Sequence, residues 1–259
     1  MFQSTSGTGT MLPLALGAIL ALSFASGAQA AEDQRFSGAY AGIHVGYGWS
    51  DTMIGDGGTN ITNPPYGAFS CGPALTGNYC NNPFELSADG ALAGLQAGMN
   101  WQRGHFVAGL EGDVSWTDIG ETRTLFRPFD DRDIATVDYD WTASLAARLG
   151  YTTDRLMVYA KAGVAFARLE QRAADIDLTG GQFQIYQGSL VNKSSTETGW
   201  AVGGGAEYAF SEAMSAKLEY LYMDFGSTSA RSSDGDIYRF ENALHSVRLG
   251  LNFKLPPSQ

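Results

Sequence analysis

Residues 106–116 read Phe-Val-Ala-Gly-Leu-Glu-Gly-Asp-Val-Ser-Trp. Taken alternately, Phe106, Ala108, Leu110, Gly112, Val114 and Trp116 are apolar, whereas Val107, Gly109, Glu111, Asp113 and Ser115 include two carboxylates and a hydroxyl. Successive side chains of a strand point to opposite faces, so the segment predicts a β-strand with one apolar and one ionisable face. A helix would mix the two sets around its circumference. Which face meets which solvent depends on the neighbours.

Outward from this segment the alternation recurs in seven further stretches. Residues 39–49 gather Ala39, Ala41, Ile43, Val45, Tyr47 and Trp49 on one face, and residues 91–101 gather Ala91, Ala93, Leu95, Ala97, Met99 and Trp101. Residues 137–149 set Val137, Tyr139, Trp141, Ala143, Leu145, Ala147 and Leu149 against Asp138, Asp140, Thr142, Ser144, Ala146 and Arg148. Residues 156–166, 199–210, 216–222 and 244–255 behave alike, with Lys161, Glu207, Lys217, Glu219, Arg248 and Lys254 opposite the apolar set. None of the eight apolar faces carries Asp, Glu, Lys or Arg.

Eight such strands fit a soluble barrel with an apolar core or a membrane barrel with an apolar exterior, and three features separate them. Trp49, Trp101, Trp116, Trp141 and Trp200 all fall on the apolar face near strand ends, where lipid interfaces collect an aromatic girdle. The opposite face mixes charge with abundant glycine, which suits the narrow lumen of eight strands. Connections alternate: residues 102–105, 152–155 and 211–213 are tight turns, whereas 50–90, 117–136, 169–198 and 224–243 are long. Short periplasmic turns and long external loops are the membrane-barrel arrangement. Closing the sheet pairs every backbone group that lipid cannot solvate. The expected fold is therefore all-β: an eight-stranded antiparallel up-and-down transmembrane barrel in the cell outer membrane.

Composition agrees with this reading. The chain has 259 residues, and its Asp and Glu exceed its Lys and Arg to give a net charge of −11, which argues against a nucleic-acid partner. No apolar run reaches the roughly 18–20 residues of a membrane helix. Residues 11–26, MLPLALGAILALSFAS, form a short apolar stretch followed by Ala28-Gln29-Ala30. That is the layout of a signal peptide over 1–30, leaving a barrel domain over 31–259; a buried core helix is the alternative. Export permits disulfides. Cys71 and Cys80 lie in a Gly/Pro/Asn-rich segment and read as one loop staple, with two free thiols as the alternative.

Several segments, FSGAYAGIHVGYGWSD, HFVAGLEGDVSW, WTASLAARLGY, TGWAVGGGAEYAF, SAKLEYLYMDFG and HSVRLGLNFKL, resemble the opacity-related outer-membrane surface antigens of alphaproteobacteria. That family includes major surface antigens of Brucella, RopB of rhizobia and haemin-binding proteins of Bartonella. The resemblance implies a monomeric or weakly associating barrel, and some relatives are adhesins or bind haemin. Arg248, Gly250, Phe253 and Leu255 resemble the terminal signal read by the barrel-assembly machinery, with Leu255 where a phenylalanine is usual.

The inward set comprises Glu111, Asp113, Asp138, Asp140, Glu207 and Glu219 with Arg148, Lys161, Lys217, Arg248 and Lys254. Such groups must pair in a narrow interior. They read as a salt-bridged plug, centred on Glu111 with Lys161 or Arg248, against the alternative of a gated ion pathway. No catalytic or metal constellation emerges: His245 and Ser246 face opposite sides, and His44 and His105 lie apart. No enzyme activity and no cofactor are expected. Haemin binding, implied by the resemblance alone, would need Tyr66, Tyr79, Tyr186, Tyr238 or Met53 from the loops. The mixed charges of residues 117–136 read as a solvated surface, or as a site for cations bridging lipopolysaccharide. The expected role is structural: envelope integrity and surface contact or adhesion, with outer-membrane lipid and lipopolysaccharide as surroundings. A host-cell or haemin ligand at the external loops, or a narrow porin, is the alternative.

Overall fold

The structure, a computed structural model, describes residues 35–56, 84–126, 132–179, 182–185, 191–231 and 237–256. The expected signal peptide over 1–30 and the Cys71–Cys80 pair lie outside the described residues. Among those described, nine strands follow in order: β1 (Gly38–Asp56), β2 (Phe84–Arg103), β3 (Phe106–Phe126), β4 (Arg132–Thr153), β5 (Leu156–Thr179), β6 (Gln182–Ile185), β7 (Val191–Ala209), β8 (Met214–Arg231) and β9 (Ile237–Lys254).

Eight of them close a ring in the order β1-β2-β3-β4-β5-β7-β8-β9, each antiparallel to its neighbours, with β9 returning to β1 through rungs such as Ile43↔Leu251. The short β6 folds back on the end of β5, from Ile176↔Ile185 to Thr179↔Gln182. At one end of the cylinder the strands are joined by tight turns. Residues 104–105 link β2 to β3, 154–155 link β4 to β5, and 210–213 link β7 to β8. Asp154 takes a left-handed φ of 50°, which aspartate tolerates better than most residues, and the Ser211 hydroxyl accepts the Met214 N–H at 3.0 Å.

The wall is apolar outside and polar within. Phe106 is 71% exposed and Leu149 68%, and Ile43, Leu95, Leu110, Leu145, Val158, Leu218 and Leu249 are exposed beside them. Glu111 and Arg148, by contrast, are 1% exposed. This inversion of the usual globular order is stable only where hydrocarbon replaces water around the cylinder.

The strands, at 18 to 24 residues for the eight ring members, are far longer than the ten or so expected. A tilted strand crosses hydrocarbon in about 9–11 residues. The excess builds hairpins at the end opposite the tight turns, so much of 117–136, 169–198 and 224–243, expected as loop, is paired strand. Above the lipid, nothing requires the outer face to be apolar, and the alternating signal fades although backbone pairing continues.

One phase change corrects the reading of β4. Tyr139 pairs with Leu169 and Trp141 with Arg168, so Asp140 is an extra residue, a β-bulge. A one-residue slip exchanges the two faces. Val137 and Tyr139, expected outside, are therefore buried in the lumen, and Asp138 and Asp140, expected inside, face outward. Lys254, also expected inside, is exposed at the end of β9.

Candidate functional site

The lumen is the most elaborated part of the molecule, and its chemistry is arranged in layers. Nearest the tight turns, Phe36 packs with Val107, Met157, Tyr159 and Ala209 across the mouth, its N–H donating to Gln102 Oε1 at 3.1 Å. Next to it is a cavity of about 30 Å³ bordered by Tyr40, Asn100, Glu207 and Asn252 and by Ser211 and Glu212 of the β7–β8 turn, large enough to admit water.

The next layer is ionic. Glu111, from β3, is its hub: Oε1 accepts Lys161 Nζ at 3.0 Å and Lys217 Nζ at 2.9 Å, while Oε2 accepts the Tyr40 hydroxyl at 2.6 Å and Arg148 Nη1 at 3.2 Å. Arg148 continues to Glu207 Oε2 at 2.7 Å and lies 4.0 Å from the Tyr159 ring centroid. Lys161 also meets Glu219 at 2.8 Å and Asp113 at 3.6 Å, and Arg248 meets Asp113 at 2.7 Å. Four acids and four bases thus cancel within one enclosed layer. Each is held by a different strand position, and each strand presents it inward because its outer neighbours are apolar. Removing charges from water costs several kcal/mol per ion, which only multiple close partners offset.

Of the two partners expected for Glu111, Lys161 is present, while Arg248 is bound to Asp113 instead. Lys217 and Arg148 complete the hub. The neutral members were not singled out by charge alone. Tyr40 and Tyr159 donate to Glu111 and Glu219, and His44 reaches Gln96 at 2.9 Å and Ser115 at 2.8 Å. Gln96 donates to Asn252 at 2.6 Å, and Asn252 donates to Glu207 at 2.9 Å, returning the chain to the ionic core. The available signal was their shared parity with Glu111, Arg148 and Arg248 along the strands.

Beyond the ions lies an apolar layer that charge patterning did not disclose. Leu86, Leu92, Ile119, Val137, Tyr139, Leu169, Leu221, Met223, Phe225 and Leu244 close the bore, with Tyr139 only 1% exposed. Farther on, Gln171 donates to Asn242 and accepts from Thr228, both at 3.0 Å. An apolar cluster, an ionic layer, a second apolar layer and a polar group thus follow one another along the axis.

On the outer wall Trp101 lies near the tight turns, whereas Trp49, Trp116, Trp141 and Trp200 lie at the other border of the apolar band. Trp116 and Trp141 are directly cross-strand. Trp49 stacks on His245, which also meets the Tyr220 hydroxyl at 2.7 Å. Gly250 and the inward Arg248 precede Phe253 and Leu255, both exposed on the outer wall or just past it. Above the tryptophans, Asp140 pairs with Arg168 at 3.3 Å and Glu170 with Arg172 at 2.8 Å in the open. Among the haemin candidates, Tyr66, Tyr79 and Tyr186 lie outside the described residues, as do the side chains of Met53 and Tyr238.

Comparison with known proteins places this arrangement. The model of the family described as "Outer membrane protein beta-barrel domain" matches residues 17–253. The 31 kDa outer-membrane immunogenic protein of Brucella melitensis is 30% identical over 93% of each chain. The 25 kDa outer-membrane immunogenic protein of Brucella abortus is 24% identical, covering 87% of this chain and 82% of its own. The 22 kDa outer membrane protein of Rhizobium leguminosarum is 27% identical over 61% of this chain and 63% of its own. With its inside-out wall, closed eight-membered ring and these relatives, the chain belongs to the outer-membrane β-barrel family and resides in the cell outer membrane.

Proposed function

We propose that the protein is a structural, non-enzymatic surface protein, an axially closed barrel that anchors acidic hairpins on the cell exterior. In this reading the tight turns face the periplasm and the long hairpins face outward. The filled lumen carries the proposal. Phe36, the ionic layer around Glu111 and the apolar layer around Tyr139 occupy the bore in series. Eight strands leave no aqueous channel once side chains fill them.

The lumen charges cancel, so the net charge of −11 rests on the remainder of the chain. Carboxylates such as Asp89, Asp118, Asp140 and Asp224 stand close to the tryptophan level on the outer wall. Phosphates of lipopolysaccharide occupy the same depth, and divalent cations bridge two such anionic surfaces. Envelope cohesion and contact with neighbouring surfaces follow from that placement.

Two measurements test the reading together. Purified barrels in planar bilayers should show no stable conductance, and a deletion strain should lose resistance to detergent and EDTA, restored by the wild-type chain. Stable, large conductance would replace the structural reading with the porin one; an unchanged envelope in the deletion strain would remove the integrity role.

A further inference from the structure

Arg35, Phe36 and Ser37 precede β1 and take no part in the ring. Phe36 is nevertheless only 6% exposed, because its side chain is drawn into the mouth against Val107, Met157, Tyr159 and Ala209. Those partners stand on β3, β5 and β7. Counted either way round the ring, β5 is four strands from β1, so Phe36 reaches the wall opposite the strand that carries it. Its pocket is complete only once the sheet has curved round on itself.

The attachment of this segment differs from that of the wall. Gly38, where β1 begins, has a φ of 112°, open to glycine and strained for other residues. From there onward β1 is laddered to β2, starting at Gly38↔Asn100, and from Tyr40↔Lys254 to β9 as well. Before it, side chains replace the ladder. The Phe36 N–H donates to Gln102 Oε1 at 3.1 Å, and the Ser37 hydroxyl reaches the Asn100 carbonyl at 3.5 Å, the outer limit of such a bond. Packing is also one-sided, since the small cavity at the mouth is lined by residues 35–38 on one flank and by residues 211–215 on the other. Directly behind Phe36, the Tyr159 ring carries the Arg148 guanidinium at 4.0 Å and its hydroxyl donates to Glu219, so the ionic layer begins there.

We propose that residues 35–37 are a hinged strap: it shuts the turn end of the lumen after the ring has closed, and it swings out on Gly38, with the ring intact, to admit water and small solutes to the ionic layer. The two apolar seals of the bore then differ in kind. The layer around Tyr139 is built wholly from ring strands and opens only with the ring, whereas the seal at the mouth is one side chain on a glycine hinge. With the strap out, the turn half of the lumen is a blind chamber, wet at the ions and still closed beyond them. Which side of the membrane the mouth faces does not enter.

Val107→Cys puts a thiol in the strap's pocket at little change in size, and its reaction with a charged, water-soluble maleimide is followed, in the refolded barrel, on the peptide that carries residue 107. Labelling should be slow and insensitive to urea below the unfolding transition, the mark of a local opening. Phe36→Ala should speed it about tenfold or more, and so should Gly38→Ala, which keeps the phenyl ring but strains the hinge. Leu244→Ala, in the far apolar layer, weakens the ring and should leave the rate unchanged. Amide exchange in the unsubstituted chain supplies a readout that needs no variant: the Phe36 N–H should exchange faster than that of Ile43, which is paired on both sides, and without urea dependence. A rate unmoved by Phe36→Ala or Gly38→Ala, or raised as much by Leu244→Ala, would overturn the strap. So would labelling that climbs with urea in step with loss of the ring, or a Phe36 amide as well protected as that of Ile43.

Discussion

Arg248 Nη1 lies 2.7 Å from Asp113 Oδ1, and this bond joins the last strand of the ring to the third across the lumen. β1 and β2 stand between them in the wall, so the contact exists only after β9 has closed on β1. It is a consequence of closure that then holds closure in place. Arg248→Ala leaves Asp113 with the Ser144 hydroxyl and Lys161 at 3.6 Å, a buried carboxylate short of its main counter-ion. The expected loss is about 3–5 kcal/mol in denaturant unfolding of the refolded barrel. The double variant Arg248→Met with Asp113→Leu should lose less than the two single changes combined, because it removes both charges together. A strictly additive pair would mean that the bond contributes nothing.

The outer wall makes an opposite demand. Leu145 stands near mid-strand on the lipid face, paired with Val164, and Asp118 stands outward beyond Trp116. Leu145→Arg should cost about 2–4 kcal/mol, because the new charge must enter hydrocarbon. Asp118→Arg, beyond the apolar band, should cost close to nothing. Folding yield into vesicles and heat-modifiable gel mobility report both. Equal tolerance at the two positions would place the membrane elsewhere on the wall.

Two closures in series make a further prediction. Glu111→Ala removes the hub that gathers Lys161, Lys217 and Arg148, yet the layer of Tyr139, Leu169 and Phe225 still closes the bore beyond it. The variant should be less stable and still show no conductance in planar bilayers. Leu169→Ala should cost about 2–5 kcal/mol through the cavity it leaves among fully buried neighbours. Conductance appearing in Glu111→Ala alone would assign the whole seal to the ions.

How much of this was legible in sequence depends on which solvent constrained each residue. Within the lipid band both faces are constrained, and the parity of Leu110 against Glu111, or Leu149 against Arg148, carries strand, face and environment together. Above the band only backbone pairing remains, so the polar run 191–199 in β7 leaves no alternating trace although it pairs with β5 throughout. The apolar layer was obscured differently. Tyr139 and Val137 carry the residue types of a lipid face, and only the extra residue Asp140, visible in the rungs on either side, turns them inward. Lys161 was recognisable as a partner of Glu111; that Arg248 would choose Asp113 depends on strand stagger, which no single sequence states.

Asp138, turned outward by the same bulge, carries the pH prediction. Partial burial raises its carboxyl above the ordinary aspartate range, Arg172 opposes the rise, and the carboxylates of Glu170 and Asp140 add to it. A raised acid is protonated more readily folded than unfolded, so folding binds protons as this group titrates. Its stabilising contribution is complete below the unfolded aspartate value and is lost as pH rises through the higher folded value. The β4–β5 hairpin should therefore open more easily, by amide exchange, as pH is raised through that interval. Asp138→Asn removes the titration and should hold the hairpin at its low-pH protection across the same range. Exchange that falls with rising pH, after correction for the intrinsic rate, would reverse the sign and with it the account of what surrounds this carboxylate.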